Sequence, residues 1–228
     1  MISSLFRSLS IAALLTMSGA VHAQIIMVSN SALAGNGESN VVFSDDDSFG
    51  TTHNDRAQSF TTGVGSYTLN SIDLKLVGRN GTASIFTVAL YSESSSTPGS
   101  LLVTLTGNSD PSTAGTFSYT ATGGYTLDAS TTYFMVASVP SGGSGDSYSY
   151  RMSTDPSDSE TTSVASWTLG NGSLSRDNTG SGIWSSPSSS SLIMSVTATA
   201  VPEPSSYAAI FGGLALIGTF LVRRRKRS

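Results

Sequence analysis

Few residues in this chain could do chemistry by themselves. Its 228 residues include two histidines and no cysteine, which removes disulfides, metal–thiolate centres and cysteine nucleophiles together. His22 falls in an N-terminal segment expected to be removed, so His53 stands alone in the mature chain. His53, Asp55 and any of the many serines make a triad on paper, yet no Gly-x-Ser-x-Gly elbow exists to present a serine. Asp45, Asp46 and Asp47, followed by Ser48 and Gly50, offer the clustered oxygens that Ca²⁺ takes, and Ca²⁺ is the one cofactor the sequence suggests. The spacing is not that of an EF-hand loop, and a solvated acidic loop is the competing reading. Glu38, Glu93 and Glu160 are the mature glutamates before the tail, and whether two carboxylates face each other for glycoside hydrolysis is a matter of space, not of sequence. Tyr148, Tyr150, Trp167 and Trp184 form an aromatic group able to stack on sugar rings, with core packing as the other account. None of this amounts to a catalytic constellation, and the expectation is a protein that is not an enzyme.

One short run has residue types suited to being acted upon. Val201-Pro202-Glu203-Pro204 is extended by its prolines, which also keep it out of any helix that follows. Behind it, Tyr207 to Val222 is 16 residues without a formal charge. As a helix that run reaches roughly 24 Å at 1.5 Å per residue, short of a hydrocarbon core of about 30 Å. Arg223, Arg224, Arg225, Lys226 and Arg227 follow, then Ser228. Their side chains reach a headgroup layer by snorkelling, and their charge holds that end on the cytoplasmic side. The expectation is one C-terminal transmembrane helix acting as a temporary hold, with the preceding domain facing outward.

The other end carries a second address. Arg7 precedes the apolar stretch Leu9 to Met17, followed by small residues and Val21-His22-Ala23. This is a basic region, an apolar region too short to span, and small residues at the third and first positions before a cut, the pattern of a signal peptide. Signal peptidase is expected to cut between Ala23 and Gln24. The organisation is then a signal peptide over 1–23, an extracellular domain over 24–200 and a sorting segment over 201–228.

Val-Pro-Glu-Pro, an apolar segment and an Arg-rich terminus, in that order and at the C-terminal end, resemble the PEP-CTERM sorting signal of Gram-negative bacteria. The resemblance covers 201–228. It implies export, transient retention in the inner membrane, cleavage near Pro202-Glu203-Pro204 by the membrane protease/transpeptidase exosortase, and delivery to the cell surface or beyond, often where exopolysaccharide is made. In that reading Val201, Pro202, Glu203 and Pro204 are recognition residues for another enzyme, and exopolysaccharide is a candidate partner.

With both ends removed, residues 24–200 hold five basic and fourteen acidic side chains, a formal charge of −9 against −4 for the whole chain. Such a surface repels nucleic acid, so no nucleic-acid partner is expected. About 177 residues suffice for one domain with its own core.

That domain has the pattern of an all-β fold. Ile72, Leu74 and Leu76 alternate with Asp73 and Lys75, Phe86, Val88 and Leu90 with Thr87 and Ala89, and Leu101, Val103 and Leu105 with Leu102 and Thr104. Asn80-Gly81 and Asn171-Gly172 have the form of tight two-residue hairpins, and Pro98-Gly99 separates two strands. Further strands are expected at 58–61, 116–120, 131–138, 148–152, 163–169 and 192–199. Eight to ten short strands at this spacing predict an antiparallel β-sandwich, jelly-roll-like. Ala57-Gln58-Ser59-Phe60-Thr61-Thr62-Gly63, Phe86 to Ser92, Thr97-Pro98-Gly99-Ser100-Leu101-Leu102 and Thr131 to Val136 resemble the choice-of-anchor domain of surface proteins. That resemblance implies an extracellular β-sandwich and supplies no catalytic residue.

Overall fold

The computed structural model describes residues 24–31, 41–44, 54–80, 85–139, 147–150, 152–153, 161–162, 164, 166–177, 182–202 and 223. Among them the domain is built of antiparallel β-strands: β1 Ile25–Ser29, β2 Val41–Ser44, β3 Asn54–Thr61, β4 Tyr67–Asn80, β5 Thr87–Ser94, β6 Thr97–Leu105, β7 Gly115–Leu127, β8 Thr132–Ser138, β9 Ser147–Tyr150, β10 Met152–Ser153, β11 Thr161–Thr162, β12 Thr168–Leu169, β13 Leu174–Asp177, β14 Ser191–Leu192 and β15 Met194–Ala200.

Eight of these carry the architecture. One sheet contains the order β1-β15-β4-β7, and the other β3-β8-β5-β6. Numbered among themselves in chain order, that is first–eighth–third–sixth facing second–seventh–fourth–fifth, the order of a jelly roll. The remaining strands belong to the two long connections, β1 to β3 and β8 to β15. β2 from the first pairs with β9 from the second, and β9 extends the edge of β4 beyond β15. A bridge between Thr106 and Thr120 joins the sheets along one side.

The core lies between the sheets. Leu69, Ile72, Leu74, Leu76, Met194 and Val196 from one face Phe60, Val88, Leu90, Met135 and Ala137 from the other, all fully buried. A smaller apolar cluster, Ala57, Phe134, Val136 and Leu174, lies apart from it and is flanked by Tyr91 and Trp184. Polar side chains close the ladder where β-pairing lapses near Ile193. Asn30 donates to the Leu192 carbonyl and accepts from the Met194 amide, and Gln58 accepts from the Leu192 amide and donates to Gly170. Both are buried, so these bonds remove donors and acceptors that would otherwise be left dry.

Three turn expectations are corrected. Asn80-Gly81 does not close a hairpin, because β7 occupies one edge of β4 while β15 and β9 occupy the other, and β5 joins the opposite sheet. Asn171-Gly172 does not close one either: β12 and β13 lie in succession on the same edge of β3, and the Asn-Gly pair sits in the detour between them. The β5–β6 hairpin turns at Ser95-Ser96, with φ of 53° and 63°, and Pro98-Gly99 lies inside β6. Two successive positive φ values are the signature of a type I′ turn, whose twist matches the strands it joins.

Candidate functional site

The chain leaves the domain at a defined place. β15 lies between β1 and β4 and ends at Ala200. The Val201 amide then donates to the Ser66 carbonyl at 2.9 Å, and Pro202 is half-buried. Ser66 belongs to the β3–β4 loop, which is bound to the β7–β8 turn by Thr62 N–H to the Thr131 carbonyl and Ser130 N–H to the Gly63 carbonyl. The sorting segment therefore begins one residue beyond the folded sheet, at the end formed by these two turns. Glu203, Pro204, the run 207–222 and the basic residues other than Arg223 lie outside the described residues, as do residues 1–23 and the Asp45-Asp46-Asp47 loop; Arg223 is exposed. Among the described residues no helix is long and apolar enough to cross a membrane, and no group of three or more His, Cys, Asp or Glu side chains could hold a metal.

The four aromatics able to stack on sugars do not form one surface. Trp167 is 1% exposed, stacked on Phe60 with ring centroids 6.1 Å apart and edge-on to Tyr67 at 5.0 Å. Tyr148 is fully buried against Phe86, its hydroxyl donating to Asp110, which also pairs with Arg79. These two rings belong to the core, where the amphipathic body of Tyr and Trp packs at least as readily as on a surface. Trp184 is half-buried beside the smaller cluster, with the Arg176 guanidinium 4.7 Å from its ring centroid. Arg176 also pairs with Asp55, which is 2% exposed, and His53 lies outside the described residues. Tyr150 is placed in β9, paired with Val41 and Leu76, and its side chain lies outside the described residues.

A different set of residues forms a cleft. It has a volume of about 480 Å³ and lies between the β5–β6 hairpin, which contributes Ser92, Glu93 and Leu102, and the β7–β8 region, which contributes Tyr125, Asp128 and Ser130 through Tyr133. The turn along its rim is held from below. Thr62 donates to the Asp128 carbonyl at 2.6 Å and accepts from the Thr131 amide, and the Tyr133 hydroxyl accepts from the Asp128 amide at 2.9 Å. Ser130 sits at φ 49°, a strained setting for a non-glycine residue that the surrounding bonds fix. Burial pushes the Tyr133 phenol above its usual range, partly opposed by the Asp128 amide, so it stays protonated at neutral pH. One Glu93 oxygen accepts from the Ser96 amide and so caps its own hairpin. Of these residues the sequence had singled out Glu93, and only as an isolated glutamate. The others converge from separate segments of the chain, and no local spacing marks them as a site.

Comparison with known proteins finds one similarity. Residues 200–226 match the family described as the PEP-CTERM protein-sorting motif. No curated protein and no solved structure matches the chain. A PEP-CTERM motif implies an exported protein, anchored in the membrane before exosortase processes it. The match lies wholly in the tail, so it gives the address of the β-domain and leaves the domain's own activity to its geometry.

Proposed function

We propose that this chain is a non-enzymatic protein of the Gram-negative cell envelope. It is exported behind a signal peptide over 1–23, held in the inner membrane by a helix over 207–222, and released to the cell surface or the extracellular matrix by exosortase. The observation that carries the reading is the position of the sorting motif. The match at 200–226 starts as β15 ends, and among the described residues the last hydrogen bond to the domain is made by Val201. A cut at or beyond Pro202 frees the domain without taking a strand from either sheet. The acidic, cysteine-free composition of 24–200 and the likeness of its strands to choice-of-anchor domains agree with a surface role. Association with exopolysaccharide or biofilm belongs to the same proposal.

Intact-mass measurement of protein recovered from the cell surface tests it. The expected species begins at Gln24 and ends near Pro202-Glu203-Pro204, and in a strain lacking exosortase the Arg-rich terminus stays attached and the protein stays in the membrane fraction. Surface-located protein that retains Arg223 to Arg227 would overturn the reading.

A further inference from the structure

We infer that the cleft between the β5–β6 hairpin and the β7–β8 turn binds a sugar unit that is uncharged or carries an amine. The inference does not rest on the sorting route and would stand for a domain delivered some other way. At about 480 Å³ the cleft is of a size that takes one or two small rings. Its lining is amphipathic in the way a pyranose is. Leu102 and the half-buried Tyr125 present apolar surface to a C–H face, while Ser92, Ser130, Thr131 and Thr132 give the lining its polar part, the hydroxyls of Ser92, Thr131 and Thr132 being already bonded within the domain.

Two groups in the cleft have hydrogen-bonding capacity to spare. Tyr133 is 4% exposed and spends its oxygen lone pair on the Asp128 amide, and among the described residues its own proton has no acceptor. The exposed Asp128 carboxylate makes no hydrogen bond among the described residues, while its backbone is pinned by Thr62 and Tyr133. A buried donor beside an exposed acceptor suits a ligand that both donates and accepts, as vicinal hydroxyls do. The turn that carries them is already fixed, so binding costs little ordering.

Charge sets the class. Glu93 and Asp128 line the cleft and neither lysine nor arginine does. A uronate or phosphate would be desolvated against two carboxylates with no counter-ion, whereas a neutral sugar meets acceptors and an amino sugar meets a favourable field. Binding rather than cleavage is part of the inference: one Glu93 oxygen is taken up by the Ser96 amide and holds the hairpin, whereas glycoside hydrolysis uses two carboxyl groups flanking the bond.

The test uses the full-length protein in a detergent without a sugar headgroup, examined by affinity electrophoresis and calorimetry against dextran, laminarin, chito-oligosaccharide and alginate. The expected result is binding to at least one of the first three, none to alginate, and a loss of about tenfold or more in Tyr125→Ala and in Asp128→Ala. Near-UV circular dichroism checks each fold, and Asp128→Asn, which keeps the shape and loses the charge, stands in for any variant that unfolds. No binding to the three non-anionic glycans, binding unchanged in the variants, equal binding to alginate, or release of reducing ends from a bound glycan would each overturn the inference.

Discussion

Two leucines on one strand give the sharpest test of how this fold departs from simple alternation. Leu101 and Leu105 are four apart on β6, and period-2 reasoning puts both on the core face. The structure sends them apart: Leu105 is 5% exposed and Leu101 is 54% exposed. The cause is a bulge. Leu90 pairs with Val103 and Tyr91 with Leu101, so Leu102 is an extra residue that reverses the facing of Leu101, and a second shift, between Tyr91 and Glu93, follows nearer the hairpin turn. Leu105→Ala then removes a buried side chain from between the sheets and leaves a void, costing about 3 kcal/mol within the usual 2–5. Leu101→Ala removes a side chain already half in water, with nothing closed over it, and costs under about 1 kcal/mol. For a domain of this size those figures correspond to melting shifts of roughly 6–12 °C and under about 4 °C. Thermal unfolding followed by near-UV circular dichroism separates them. Equal losses at the two positions would mean that the bulge is absent and β6 runs in strict alternation.

Further predictions concern a glycine and the buried phenols. Gly172 sits at φ +81° with the Ser188 carbonyl oxygen 2.0 Å from where a Cβ would stand, whereas Gly123, at φ +83°, has open space there. Gly172→Ala should therefore cost on the order of 3 kcal/mol or more, from the left-handed backbone plus a forced shift of the 188 segment, and Gly123→Ala about 1–2 kcal/mol; urea midpoints for the pair would show the difference or refute it. Burial raises the phenols of Tyr119, Tyr133 and Tyr148 above 10.0, their ordinary value, in the folded chain. The unfolded chain then loses these protons first as pH rises, so their contribution is fully present below about pH 10 and is lost as pH climbs through the folded values. Tyrosinate absorbance should show these three ionising together with alkaline unfolding, and three independent titrations in folded protein near pH 10 would contradict it.

What could be read in the sequence was what periodicity reports. Ile72, Leu74 and Leu76 face inward, as do Phe86, Val88 and Leu90, because those stretches carry no extra residue among the alternating ones. β1 went unread because Ile25-Ile26-Met27-Val28 does not alternate and adjoins the apolar N-terminal region. Its burial switches from exposed to buried along its length, across a register shift between Ile26 and Val28. The second half of β7 was hidden by Gly123-Gly124, which looks like a break and is a pair of positive-φ residues inside a strand, near a register shift opposite Asn70. Asn-Gly pairs misled because local turn chemistry says that a chain turns, not which edge is vacant for pairing. The cleft was out of reach for a related reason: its Tyr125, Asp128 and Tyr133 become a site only when β5, β6 and β8 are brought beside β7, and no spacing within one segment encodes that.

The order of strands also bears on when this domain can exist. β15 is the last strand, yet it stands between β1 and β4, contributing buried Met194, Val196 and Ala198 to the core. β11 covers one edge of β1, but neither its other edge nor the Tyr67–Leu74 edge of β4 that faces it is paired until residues 194–200 arrive, so the sheet closes only after the whole ectodomain has been delivered. Closing it pairs residues more than 160 positions apart, such as Ile25 with Ala198, which makes the last step slow by loop-closure entropy. The sorting segment follows at once, with Val201 still bonded to Ser66. A domain whose keystone strand is its last benefits from a tail that holds it at the membrane while that strand docks. Among the described residues the hydrogen bond at Val201 is the last that ties this end of the chain to the domain, directly after the strand that closes the sheet.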